Sequence, residues 1–169
     1  RSPLRETDDE ARALARRLID DARYGALGVR APGSGHPLVS RVAVGTAPDG
    51  APVSLVSDLS HHSQALAADP ACSLLLGEPG ATGDPLSHPR LTLIGDARFL
   101  RHGEDGHEAL AAHYLRQHPE ARLYAGFADF AFVRFRVARG LLVAGFGRAH
   151  ALNATDMGLP PAGDAAPAC

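Results

Sequence analysis

The stretch that most restricts what this chain can become is 54–76, SLVSDLSHHSQALAADPACSLLL, because its period changes twice. Ser54, Leu55 and Val56 continue an apolar run that stops at Ser57–Asp58. Gln64 to Ala68 is a short helical pattern, ended by Asp69–Pro70, and Ser73 restarts an apolar strand. Strand, short helix, strand is the reading. The helix start gathers Ser57, Ser60, His61, His62 and Ser63. Unpaired N–H groups and the positive dipole end make a helix N-terminus attractive to anions. Hydroxyls and imidazoles delivered there form a candidate phosphate seat. The simpler reading is a helix with Ser57 or Ser60 as its N-cap.

The flanking chain is rich in short strands. Thr7-Asp-Asp-Glu10 has capping-box spacing, and Leu14, Leu18 and Ile19 recur at helical spacing, so a helix is expected over 8–22. Strands are expected over 24–29, 38–46, 52–57, 72–77 and 90–100, with a hairpin turn at Pro48-Asp-Gly50. A second helix is expected over 108–117. A strand over 127–138 should turn at Arg139–Gly140 and pair back through 141–145. Segment 78–89 is a Gly/Pro-rich connection. Six or seven strands with flanking helices predict a mainly β, α+β fold, an antiparallel barrel. Strict βαβ alternation and a G-x-G-x-x-G turn are both missing, which argues against a dinucleotide-binding domain. The domain is expected over 7–150, with a lead-in at 1–6 and a mobile Pro/Gly/Ala-rich tail at 151–169.

Charge and composition narrow the partners. A net charge of −2 gives no basic footprint for nucleic acid. No run is long and apolar enough for a membrane span, and the N-terminal residues are not signal-like. Two cysteines make no disulfide framework, so a reducing, cytoplasmic setting is expected. All 17 basic residues are Arg, whose planar forks suit phosphate and carboxylate. Nine histidines invite a metal reading, but His107, His113 and His118 are spaced six and five apart and form no HExxH pair. They read as solvent-exposed helix histidines, and no metal set is expected. No G-x-S-x-G elbow anchors hydrolase chemistry. Arg41, at an alternation position, could lie beside Ser57 through antiparallel neighbours, or simply face outward; Arg90 carries the same two readings.

The runs PLVSRVAV, DGAPVSLVSDLSHHSQALAADPACSLLL and DPLSHPRLTLIGDARFL resemble the pyridoxamine 5′-phosphate oxidase-like flavin-binding family. YLRQHPEARLYAGFADFAF and LVAGFG resemble its haem-utilisation branch, so the likeness covers about residues 11 to 150. It implies a split β-barrel, built as a homodimer with FMN between the subunits. By position it implies that Arg41 and Val42 approach the flavin and that Ser57, Ser60, His62 and Ser63 hold the phosphate. Arg90 would contact the flavin. The true oxidases carry Lys where His62 stands, and this chain has no Lys and no match to their C-terminal substrate segment. Vitamin B6 oxidation is therefore not expected. The haem-utilisation branch implies haem as the alternative ligand, with its ligating histidine in the C-terminal part; His150 is the candidate. The expectation is a homodimeric FMN-binding barrel, with no catalytic acid or base assigned. The alternatives are a haem-binding or haem-degrading protein and a non-enzymatic ligand-sensing barrel.

Overall fold

Ser54 and His118 close what the backbone ladders leave open. The structure, a computed structural model, describes residues 4–161. Its strands are β1 (Leu4–Arg5), β2 (Tyr24–Arg30), β3 (Pro37–Ala43), β4 (Gly45–Thr46), β5 (Pro52–Ser57), β6 (Ala71–Leu76), β7 (Arg90–Leu100), β8 (Phe130–Val143) and β9 (Ala149–Asn153). The helices are α1 (Asp9–Asp20), α2 (His61–Ala68) and α3 (His107–Gln117). The sheet runs β1-β9-β8-β7-β6-β2-β3, while β5 pairs with both β8 and β4. All pairings are antiparallel except β1 with β9. No ladder joins β3 to β5. Across that seam the Ser54 hydroxyl donates to the Ala43 carbonyl at 2.6 Å, and at its edge His118 Nε2, from the end of α3, donates to the Val44 carbonyl just past β3 at 2.7 Å. This is an α+β split barrel, as the sequence predicts, with nine strands among the described residues instead of six or seven.

Two cores share β8. The inner face of the long sheet packs Leu27, Val42, Leu76, Leu91, Val133, Phe135 and Leu142 against Ala11, Ala15 and Ile19 of α1. A second, smaller core lies under α3, where Leu110 and Tyr114 meet Val53, Leu55 and Phe132. Alternation explains the division: Val56 and Ser54 point inward from β5, while Val53 and Leu55 point to α3. The N-cap of α1 is Asp8, whose carboxylate accepts from the Ala11 N–H at 2.8 Å. Thr7, expected as the cap, instead donates its hydroxyl to the Ala151 carbonyl at 2.9 Å.

Three expectations are corrected. Arg139–Gly140 is not a turn: β8 runs straight through it, with Ile94 opposite Arg139 and Gly95 opposite Val137, so Ala138 is the extra residue of a bulge. Gly140 is there for space, since a Cβ on it would lie 2.7 Å from Met157 Sδ. The tail does not begin at 151. Strand β9 and a 3-10 turn at Thr155–Met157 continue the fold, with Leu152, Met157 and Leu159 buried. Arg12 pairs with Asp156 at 2.9 Å, and Arg16 donates to the Met157 carbonyl at 3.0 Å. Within the lead-in, Leu4 and Arg5 add a short parallel strand to β9. Residues 1–3 and 162–169, including Cys169, lie outside the described residues.

Candidate functional site

The helix that opened the sequence argument is capped as its simpler reading predicts. Ser60 is the N-cap of α2 and its hydroxyl accepts from the Ser63 N–H at 3.3 Å. The same hydroxyl lies 2.7 Å from Ser63 Oγ and donates to the Ser57 carbonyl at 2.8 Å. Ser57 donates its own hydroxyl to Asp129 at 2.9 Å. Asp58, next in the chain, is held by a two-pronged Arg101 at 2.8 and 3.0 Å. The hydroxyls thus already have partners, and two carboxylates stand beside them. His62 shares a 3.1 Å hydrogen bond with Ser40 Oγ, which fastens α2 to β3. Burial, then the neighbouring His61, pushes the His62 pKa down. It is therefore neutral near pH 7 and a weaker phosphate partner than a cation.

Arg41 does not join this cluster within one chain. Alternate side chains leave β3 on opposite faces. Val42 points into the main core at 5% exposure. Arg41 points the other way. On that outer face it lies in one cross-strand row with Ala26, Leu75, Thr92 and Leu141. Its guanidinium sits over the Tyr24 ring, 5.4 Å from the centroid, a cation–π distance. The neighbouring Glu78 carboxylate leads the upward shift of the Tyr24 pKa, followed by burial. Arg41 and Tyr24, with Ala26, Val39, Leu75 and Glu78, line an open cleft of about 350 Å³. Arg90 lies near the same end of the sheet, half-buried, donating to the Leu86 carbonyl at 2.9 Å. There it holds the 78–89 connection in place.

Three of the other histidines are not the surface groups expected. His107, His118 and His150 are all buried. His150 is 2% exposed; its Nδ1 donates to the Glu6 carbonyl at 3.0 Å and its Nε2 has no partner. It lies opposite Leu142 in the inner-face row, a core position. His107 Nε2 is likewise buried without a partner, beside the ring of His102 at 4.3 Å. Burial, then the charge of His102, lowers the His107 pKa, with Glu108 and Glu104 opposing. Among the described residues no group of three or more metal-ligating side chains forms.

The lowered pKa values of His62 and His107 set an acid limit. The unfolded chain protonates them near pH 6.5, whereas the folded chain resists until lower pH. Their contribution is full above about pH 6.5 and falls as pH drops through the lowered folded values. The urea midpoint should therefore be lower at about pH 5 than at about pH 7.5, and His107→Leu should flatten the difference. An unchanged slope in that variant would remove His107 from the effect.

The sequence missed Tyr24, Val39 and Glu78 as cleft residues, and Ser40 as the partner of His62. An aromatic at a strand start beside an alternating Val–Arg pair was the available signal for the first two. Glu78 and Ser40 had none.

Comparison with known proteins fits this geometry. The chain is 37% identical over 100 residues to the non-canonical heme oxygenase HOZ, chloroplastic, of Arabidopsis thaliana, covering 59% of this chain and 29% of the relative. A heme binding protein from Mycobacterium smegmatis is 31% identical, with a TM-score of 0.79 over 90% of this chain and 60% of that one. HutZ, the heme storage protein of Vibrio cholerae, shares the fold at 17% identity, with a TM-score of 0.66 over 83% of this chain and 96% of that one. This chain therefore spans under a third of the Arabidopsis protein and 60% of the mycobacterial one. The likeness to the haem-utilisation branch of the oxidase-like split barrels stands. The family model for the CREG β-barrel matches residues 6–157, from the strap before α1 to the Met157 turn, and the chain belongs to that family.

Proposed function

We propose that this chain binds a tetrapyrrole, with haem as the leading ligand, on the outer face of β2, β3 and β6, and that it does so as a homodimer. The observation that carries this reading is the open cleft walled by Val39, Ala26 and Leu75 with Arg41 at its margin. Val39 is 65% exposed and Leu75 41% exposed. Exposed apolar side chains gathered at one cleft mark a surface that something covers. A macrocycle with an apolar face and carboxylate edges matches apolar walls beside a guanidinium, which takes carboxylates two-pronged. The cleft lies at the small end of ligand sites, so one subunit offers half an enclosure. The names of the Arabidopsis and mycobacterial relatives support haem. Haem, when bound, would supply the redox chemistry; the residues here bind and orient it.

FMN is the second reading, favoured by the hydroxyl cluster of Ser57, Ser60 and Ser63 beside His62. The two readings separate by titrating the protein with hemin and with FMN, following the Soret band and flavin fluorescence. Arg41→Ala should weaken hemin about ten- to a hundred-fold, the value of one charge-assisted hydrogen bond. Protoporphyrin dimethyl ester, which lacks free carboxylates, should be indifferent to that change. Equal losses for both porphyrins would show that Arg41 does not read a carboxylate. Saturable FMN binding without hemin binding would replace the first reading by the second.

A further inference from the structure

Phe146 is 96% exposed, the most exposed large apolar side chain among the described residues. It is presented, not left loose. The β8–β9 hairpin closes on itself, with the Ala144 N–H on the Arg148 carbonyl at 2.8 Å and the Arg148 N–H on the Gly145 carbonyl at 3.1 Å. Gly145 and Gly147 flank the ring in left-handed conformations, φ 135° and 68°, which only glycine adopts readily. Gly145 also lies near the Ser87 carbonyl, a Cβ distance of 3.6 Å, which brings Phe146 beside the turn that exposes Leu86.

The cleft lies at this same end of the sheet. Tyr24 opens β2, Arg90 opens β7 and faces Val143, and Gly77 and Glu78 follow β6. Yet no residue of 144–148 lines the cleft. From β8 to β3 the path crosses β7, β6 and β2, four strand spacings or about 19 Å along the sheet. A phenylalanine side chain does not span that distance. Two-fold symmetry removes it. Turn two outer faces toward each other about an axis that runs along the strands between β6 and β7. The operation exchanges β9 with β3 and β8 with β2 and keeps like ends of the sheets together. The hairpin of one copy then stands over the β2–β3 cleft of the other, and the exposed row of Leu75 and Leu141 meets its own image.

We infer that Phe146 is a ligand-contacting residue supplied across the dimer: it closes the cleft of Tyr24, Val39, Arg41 and Leu75 in the second copy, its ring against the flat face of the bound macrocycle. This rests on the tetrapyrrole reading above and adds the residue that completes the site. An aromatic ring stacks on a conjugated macrocycle in offset contact and shields it from water. The exposed position makes Phe146→Ala safe for folding, and the absence of tryptophan makes Phe146→Trp a single-reporter protein.

Mixed dimers test the assignment. Tagged Arg41→Ala and untagged Phe146→Ala chains are co-expressed, the heterodimer is isolated, and hemin is titrated by its Soret band. Each homodimeric variant should bind about ten- to a hundred-fold more weakly than wild type. If Phe146 acts across the interface, the heterodimer carries one doubly altered site and one intact site. It should then take up one hemin per dimer at wild-type affinity. Phe146→Trp fluorescence should be quenched by stoichiometric hemin. A heterodimer with no wild-type site or a Phe146→Ala homodimer with wild-type affinity would overturn the assignment while the cleft reading survives; a protein that sediments as a monomer when loaded would overturn the assignment and the homodimer part of the reading beneath it. A wild-type protein that binds neither hemin nor protoporphyrin would overturn the reading beneath it, and this inference with it.

Discussion

Gly95→Ala is expected to destabilise the sheet severely. A Cβ at position 95 would lie 2.0 Å from the Arg136 carbonyl oxygen and 3.0 Å from its carbon, both backbone atoms of β8. Neither can swing aside as a side-chain tip could. The position is the partner side of the bulge, where Ala138 is the extra residue. Overpacking commonly costs about 1–3 kcal/mol, and a backbone clash in the longest ladder belongs at or beyond the top of that range. That is a large share of the total stability of a domain this size, about 5–15 kcal/mol. The measurement is soluble yield and urea midpoint, with Gly126→Ala as control, because a Cβ there meets nothing within 4 Å. A Gly95→Ala protein with the wild-type midpoint would mean that β7 and β8 do not meet as described.

Met157→Ala should also be costly, although the sequence places it in an apparent tail. Its side chain is fully buried and fills the space that Gly140 leaves. Truncating a buried methionine to alanine typically costs about 2–5 kcal/mol, whereas a methionine-to-leucine swap usually costs less than about 1.5 kcal/mol. Met157→Leu is therefore the packing control. Denaturant midpoints for the three proteins check the pair. Equal midpoints for Met157→Ala and wild type would restore the mobile-tail reading. The pairing also predicts coupling: Gly140→Ala should lose part of its cost when Met157 is already alanine, because the added Cβ then has room.

The sequence revealed much of the fold where local pattern and tertiary demand agree. Strand β7 spans 90–100 as expected, because alternation over eleven residues leaves little choice of face. The 48–50 hairpin turn forms, with Gly50 at positive φ. Failures came where a residue type has two physical uses. Arg139–Gly140 reads as a turn because glycine bends chains; here glycine makes room for a sulfur atom. Histidines on polar stretches read as exposed, yet His118 is buried because the Val44 carbonyl needs a donor at the seam. The site was less legible still. Sequence proximity puts Arg41 beside Ser57, but strand alternation sends its side chain to the opposite face from Val42. A cleft made by β2, β3 and β6 joins residues far apart in the chain, and no local spacing announces it.

Strand β8 meets β5, β7 and β9, so during synthesis the earlier strands wait for it. Until it emerges, β5 and β7 present bare edges, the usual nuclei of mispairing between nascent chains. From the end of β7 at Leu100 to the end of β8 at Val143 is 43 residues of translation, about 2–9 s at roughly 5–20 residues per second. During that interval α3 is made first and its apolar side has as yet no Phe132 to cover. Cells that make this protein quickly therefore face a window of exposure set by the ribosome's pace, and synonymous codon changes within 101–143 would lengthen or shorten it without altering one atom of the finished molecule.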